Sequence, residues 1–121
     1  MIQCPFCKLR DVEHSTEYFN IIYDKFPVSK GHLLVISKRH IASYFDLCGA
    51  EKNELVQIID TLQKYLMDKY HPNGFNIGFN DGECAGQTIN HFHLHIIPRY
   101  NGDMDNPQGG VRGVIPEKQK Y

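Results

Sequence analysis

No stretch of this sequence is apolar for long. Its longest purely aliphatic run is Leu33 to Ile36, whereas a membrane-spanning helix needs about 20 predominantly apolar residues, so no transmembrane segment is expected. A basic start followed by an apolar stretch is also lacking at the N-terminus, so no signal peptide is expected and the expected compartment is the cytoplasm. Charge of one sign is scarce too: 13 Lys and Arg stand against 14 Asp and Glu, a net charge of −1 with seven histidines neutral. Such a balance gives no global field for gathering nucleic acid or a membrane surface, so any anion must be met by a locally built site. The expected partner is a small molecule, not a nucleic acid or a membrane. Internal repeats are absent at every period, which excludes a solenoid.

The 121 residues, 41% of them hydrophobic, suffice for one core and a single domain over residues 1–121. Tyr18 to Asp24 and His32 to Ser37 are rich in β-branched and aromatic residues and flank a turn marked by Pro27 and Gly31, which predicts a strand pair. Leu55, Ile58, Ile59, Leu62 and Leu66 recur along one helical stripe, with Glu51, Lys52, Lys64 and Asp68 pointing elsewhere. A helix is therefore expected over about residues 50 to 70, ended by Pro72, Asn73 and Gly74. Phe75 to Asn80 and about Thr88 to Pro98 read as further strands, joined by a glycine-containing loop from Asp81 to Gly86. Strands in hairpins with one long helix predict an α+β domain with an antiparallel sheet. Residues 100–121 hold Asn101-Gly, Asn106-Pro and Gly109-Gly and read as a loop or arm, with Val111 to Ile115 a candidate edge strand.

His91-Phe-His-Leu-His-Ile-Ile97 alternates in strict period two. A strand here puts His91, His93 and His95 on one face and turns Phe92, Leu94 and Ile96 to the core. A merely solvent-facing strand would more commonly carry Thr, Lys or Glu at the polar positions. One shared metal ion does not account for the row either. Alternate residues lie about 6.6–6.8 Å apart, so His91 and His95 are separated by roughly 13 Å, whereas nitrogen ligands sit about 2.0–2.1 Å from zinc. The row therefore divides its labour, leaving at least one imidazole for catalysis or for holding an anion. Neutral imidazole is a nucleophile near neutral pH, and its protonated form donates to phosphate. In the preceding loop Gly82 and Gly86 let backbone N–H groups approach an anion, and Gln87 and Thr88 add neutral donors; taken alone, such a loop is equally an ordinary turn.

The pattern of residues 91–97 resembles the signature of the histidine triad superfamily. Gly31-His-Leu-Leu-Val-Ile-Ser-Lys-Arg-His40 is similar to that family's first-histidine segment, and Asn80-Asp-Gly-Glu-Cys-Ala-Gly-Gln-Thr88 to its phosphate loop. With Cys4-Pro-Phe-Cys7, the resemblance covers nearly the whole chain up to Arg99. It implies a five-stranded antiparallel sheet with one long and one short helix, two subunits joining their sheets into a continuous one, and a nucleotide cleft beside the triad strand. It also implies roles: His93 as nucleophile, His95 and His32 near the phosphate, Gln87 near the bridging atom of the leaving group, Asn80 on the phosphate side, and Asp24 on the ribose hydroxyls, although by itself Asp24 reads as a strand-end turn residue. The activity implied is cleavage at the α-phosphorus through a nucleotidyl-histidine. The Ala85-Gly-Gln-Thr88 loop, Pro98-Arg99 and the long tail, in a chain without tryptophan, resemble the dinucleoside polyphosphate hydrolases more than the phosphoramidate hydrolases. A nucleoside phosphoramidate hydrolase, a dinucleoside polyphosphate phosphorylase, a nucleotide-binding module without turnover and a metal-dependent hydrolase are the alternatives. Arg99, Arg112, Lys118 and Lys120 are candidates for the outer phosphates, against ordinary solvated charges.

Cys4 and Cys7 have the spacing of a metal or redox pair. A redox pair follows a strand and opens a helix, whose N-terminus lowers the thiol pKa; only three residues precede Cys4. A structural zinc site needs four ligands. Similarity to the zinc-bearing bacterial members of the family supplies the other two, His40 and His91, which leaves His93 and His95 free. Cys48 and Cys84, with no evident base beside them, are expected as packed or half-buried thiols, and His14 and His71 as solvent-facing side chains.

Overall fold

The computed structural model describes residues 4–121. Five strands form one antiparallel sheet in the order β1-β2-β3-β5-β4: β1 His14–Ser15, β2 Phe19–Tyr23, β3 Leu33–Ser37, β4 Gly74–Gly78 and β5 His93–Arg99. One long helix, α1 (Gly49–Tyr70), packs across one face. The α+β architecture is the expected one, with the short second helix represented by 3-10 turns such as Tyr44–Asp46 just before α1. Among the described residues no helix is long and apolar enough to cross a membrane.

Period-two alternation sorts the strand residues between two faces. Phe19 and Ile21 of β2, Leu33 and Val35 of β3, and Leu94 and Ile96 of β5 share the main core with Leu55, Ile58, Leu62 and Leu66 of α1. Each such side chain contributes about 1.5–3 kcal/mol on full burial, so this stripe is what holds the helix to the sheet. On the opposite face Ile22, Leu34 and Ile36 form a smaller cluster with Phe6 and Leu9 of the N-terminal segment. Strand β3 is thus buried along its whole length, which is why it reads as a continuous apolar run and not as an alternation. The α1 C-terminus is closed by His71, left-handed at φ 54°, whose N–H bonds to the Met67 carbonyl at 3.1 Å before Pro72. Gly31 has φ +93°, and a Cβ there would lie 2.8 Å from the Tyr70 ring, so both backbone and space demand glycine before His32.

Several expectations are corrected. Glu51 does not point away from the core: it is 1% exposed. It lies in the first turn of α1, where Oε1 accepts from the Cys48 N–H at 2.9 Å, and Arg39 forks onto its two oxygens at 3.1 and 2.8 Å. The Arg39 bond, with the Cys48 N–H assisting against burial, holds its pKa down to about 2. Strand β5 begins at His93 and not at Thr88, because His91 N–H bonds back to the Ile89 carbonyl at 2.8 Å and Phe92 N–H bonds to the Ile41 carbonyl at 2.6 Å. Val111 to Ile115 is no edge strand; Gly110–Val114 winds as a 3-10 helix after Gly109 and Gly110, both at positive φ. Strand β1, two residues long, left no periodic signal to read. Cys48 and Cys84 are exposed free thiols, not packed ones, whereas His14 and His71 are exposed as expected.

Replacing Glu51 by Ala removes a buried carboxylate that serves both the helix start and Arg39. Hydrogen bonds to charged groups are worth about 1.5–3 kcal/mol, so the expected loss is about 2–3 kcal/mol, read as a lower urea midpoint at unchanged m-value.

Candidate active site and metal centre

The face of β5 opposite the helix carries His93 and His95, and the turn before β3 brings His32 beside them. His93 Nδ1 lies 2.8 Å from the carbonyl of His91. A carbonyl only accepts, so Nδ1 holds the proton and the lone pair sits on Nε2. That is the tautomer a nucleophilic imidazole needs.

His32 and His95 are joined in a defined direction. Val28 N–H donates to His32 Nδ1 at 3.0 Å, so the His32 proton is on Nε2, which faces His95 Nδ1 at 2.9 Å and Asp24 Oδ2 at 3.5 Å. His95 Nδ1 therefore accepts, and its own proton is on Nε2, available as a donor from a neutral ring. Burial, then the neighbouring His32 and His93 rings, lower the His95 pKa to about 4. Burial also lowers His32, opposed by the Asp24 charge. Asp24, His32 and His95 present ligand-type atoms within 4.8 Å of one another. Metal ligation through His32 Nε2 would move the ring proton to Nδ1, which accepts from Val28 N–H, so this group is a hydrogen-bond chain and not a metal site.

The opposite holds for Cys4, Cys7, His40 and His91, whose ligand atoms also lie within 4.8 Å of one another. His91 is fully buried, and its Nε2–H donates to the Ser37 carbonyl at 2.6 Å. The lone pair is thus on Nδ1, which lies 3.3 Å from Cys4 Sγ, 3.6 Å from Cys7 Sγ and 3.1 Å from His40 Nδ1, with Cys7 Sγ 3.1 Å from His40 Nδ1. A tetrahedral zinc with Zn–N of about 2.0–2.1 Å and Zn–S of about 2.3 Å separates its ligands by about 3.3–3.8 Å. A backbone carbonyl on the far nitrogen is the usual orienting partner of a ligating histidine, and burial lowers the His91 pKa, keeping the ring neutral as ligation requires. The residues fit zinc.

The loop after β4 is built by its own bonds. Gly82 and Gly86 take φ of 96° and 97° around the 3-10 turn Glu83–Ala85. The N–H groups of Gly82, Ala85, Gly86 and Gln87 are all paired within it. Gln87 spends both ends of its amide on backbone: Oε1 accepts from Gly82 N–H at 2.8 Å, and Nε2 donates to the carbonyls of Ala42 and Ile89 at 2.8 and 3.2 Å. In this arrangement it holds the loop. Asn80 and Thr88 are exposed. Arg99 is forked on Asp103 at 2.7 Å and bonded to Asn76 at 2.7 Å, so its charge is already paired, whereas Arg112 is exposed and bonds to a neutral group, the Lys118 carbonyl, at 2.9 Å. The groups that sequence reasoning missed are mostly backbone: Val28 N–H and the carbonyls of Ser37 and His91 carry no residue-type signal.

The five-stranded antiparallel sheet with one main helix is the architecture of solved histidine triad family structures. The chain belongs to that family: the HIT domain profile matches residues 10–102. It is 34% identical over 103 residues to protein hit of Bacillus subtilis, covering 80% of this chain and 71% of the relative. It is 32% identical over 99 residues to the AP-4-A phosphorylase of Mycobacterium tuberculosis, covering 79% of this chain and 50% of that protein. With the asymmetrical bis(5'-nucleosyl)-tetraphosphatase of Schizosaccharomyces pombe it shares 38% identity over 78 residues, 64% of this chain and 43% of the relative. Among solved structures, a HIT family protein from Bacillus anthracis superposes with a TM-score of 0.77 at 35% identity, covering 83% of this chain and 75% of that one. A Zn-bound histidine triad family protein from Mycobacterium smegmatis superposes with a TM-score of 0.68 at 35% identity, covering 74% and 66%.

The depressed His95 pKa sets the sign of a pH effect. Below its ordinary value of 6.5 the unfolded chain takes the proton first, so stability is complete above about pH 6.5 and is lost as pH falls toward 4. Urea midpoints are expected to drop across that window, and His95→Gln to flatten the drop. Equal slopes in wild type and variant would contradict the assignment.

Proposed function

We propose that the protein transfers a nucleotidyl group, His93 attacking the α-phosphorus of a dinucleoside polyphosphate and water then releasing the nucleotide. The observation that carries this reading is the 2.8 Å bond from His93 Nδ1–H to the His91 carbonyl, which leaves Nε2 as the nucleophile. In the first step the Nε2–P bond forms as the bond to the bridging oxygen breaks. In the second, water displaces the histidine, so phosphorus inverts twice. His95 Nε2–H, backed by His32, donates to the developing charge. Asp24 Oδ2, at the His32 end of the chain, takes the ribose hydroxyls. Asn80 and Thr88 meet the phosphate side, and Gln87 reaches the bridging atom on giving up one backbone bond.

Support for the substrate class comes from the relatives named for tetraphosphate cleavage and phosphorolysis. The M. tuberculosis relative favours a second reading, in which phosphate replaces water; with a diadenosine tetraphosphate, ADP among the products marks phosphorolysis and AMP marks hydrolysis. Strand β4 ends the sheet with no strand on its outer side among the described residues, and a second copy joined there by a two-fold axis would continue it into a homodimer. Four free thiols suit a reducing compartment such as the cytoplasm.

Zinc at Cys4, Cys7, His40 and His91 would be structural, since four protein ligands leave no open position for chemistry. Metal analysis is expected to return close to one zinc per chain, and Cys7→Ser to lower zinc content and thermal stability together. A fully stable, metal-free chain would remove the site.

His93→Ala is expected to abolish turnover, by several powers of ten, while nucleotide binding persists. Loss of one polar stabiliser costs about 10²–10³ in kcat, so His95→Ala is expected to stay measurable. With a substrate chiral at the α-phosphorus, the double displacement predicts net retention; inversion would mean direct attack by water.

A further inference from the structure

We propose that Phe6 is a positioning residue for His93 and couples the orientation of that ring to the Cys4, Cys7, His40 and His91 centre; this rests on reading His93 as the nucleophile. The hydrogen bond from His93 Nδ1 to the His91 carbonyl, 2.8 Å long, fixes one atom of the ring. The ring plane is left to swing about that point, and Nε2, on the far side, swings furthest. Two other rings pack against it. His95 lies at a centroid distance of 5.2 Å and 64° to the plane, and Phe6 at 4.9 Å and 69°. His95 comes from the same strand, whereas Phe6 is brought from outside it.

Phe6 is itself held by the metal-type cluster. It stands between Cys4 and Cys7 in a turn closed by Cys7 N–H to the Cys4 carbonyl at 3.2 Å. Its ring packs on Ile22, Leu34 and Ile36 and meets the His91 ring edge-on at 6.1 Å and 88°. A side chain flanked in sequence by two cysteines of the cluster and resting on the ring of a third member does not move independently of them. Release of the cysteines therefore frees Phe6, and release of Phe6 frees the plane of His93. Displacement of a reacting atom by about 1 Å can cost 10²-fold in rate.

Phe6→Ala, Phe6→Leu and Phe6→Tyr are compared by steady-state kinetics on diadenosine tetraphosphate, zinc content, and NMR of the His93 ring Nδ1 proton. For Phe6→Ala, kcat is expected to fall about tenfold or more with KM little changed and zinc retained, and the Nδ1 proton signal to broaden by exchange. Phe6→Tyr, which keeps the ring, is expected to restore both. Phe6→Leu keeps apolar volume without a ring and serves if Phe6→Ala fails to fold. Removing zinc from the wild type with a chelator is expected to broaden the same signal. An unchanged kcat, a loss confined to KM, or an intact Nδ1 signal in the Ala and Leu variants would overturn the positioning role. A signal indifferent to zinc removal would overturn the coupling. A wild type that turns over no adenylylated nucleotide would refute the proposed function, while the NMR comparison would still decide the role of Phe6.

Discussion

At 2.6 Å, the hydrogen bond from His91 Nε2–H to the Ser37 carbonyl decides which nitrogen of a fully buried imidazole is left for other work. It can form because the chain turns between Ile89 and Phe92 and enters β5 only at His93. That turn sends the His91 ring toward the two sulfurs and its carbonyl toward His93 Nδ1. One residue thereby serves two centres. Its side chain joins the Cys4, Cys7 and His40 cluster, and its backbone sets the tautomer of the neighbouring nucleophile candidate.

The same principle runs through the other histidines, where a backbone group whose donor or acceptor character is fixed settles a ring that is otherwise ambiguous. Val28 N–H makes His32 Nδ1 an acceptor, and the proton order then follows through His32 Nε2 to His95. Both clusters bring histidines together with sulfur or carboxylate at similar spacing. Tautomers separate them: His91 turns a lone pair into the Cys-containing group, whereas His32 turns an N–H into the Asp24 group. Lowered pKa values at His32, His91 and His95, caused mainly by burial, keep these rings neutral and so preserve the arrangement near neutral pH.

Much of this was legible in the sequence because periodicity survives folding. The alternation in residues 91–97 marked His93 and His95 on the face of β5 turned from the helix, although His91 lies before the strand, and the stripe from Leu55 to Leu66 marked α1. Distances along a strand already required that His91 and His95 not share an ion. What escaped was carried by groups without a residue-type signature. The turn at Ile89 to Phe92 is made by backbone bonds to Ile89 and Ile41, so a period-two pattern ran through it unbroken. Glu51 read as a surface charge because its partner Arg39 lies on the far side of the 3-10 turn, and only folding brings the pair together. Gln87 resembled a substrate contact in its motif, yet its amide is spent on the loop that presents it.

In the proposed mechanism His93 Nε2 is the atom that becomes bonded to phosphorus. The most direct measurement is rapid quench of the protein at high concentration with a diadenosine tetraphosphate, under base, followed by digestion and mass mapping of the adduct. An adenylyl group on the peptide holding His93, at Nε2 and hydrolysed at a rate competent for turnover, is the result expected. Turnover without any such adduct, or an adduct on His32, His95 or a cysteine, would contradict it.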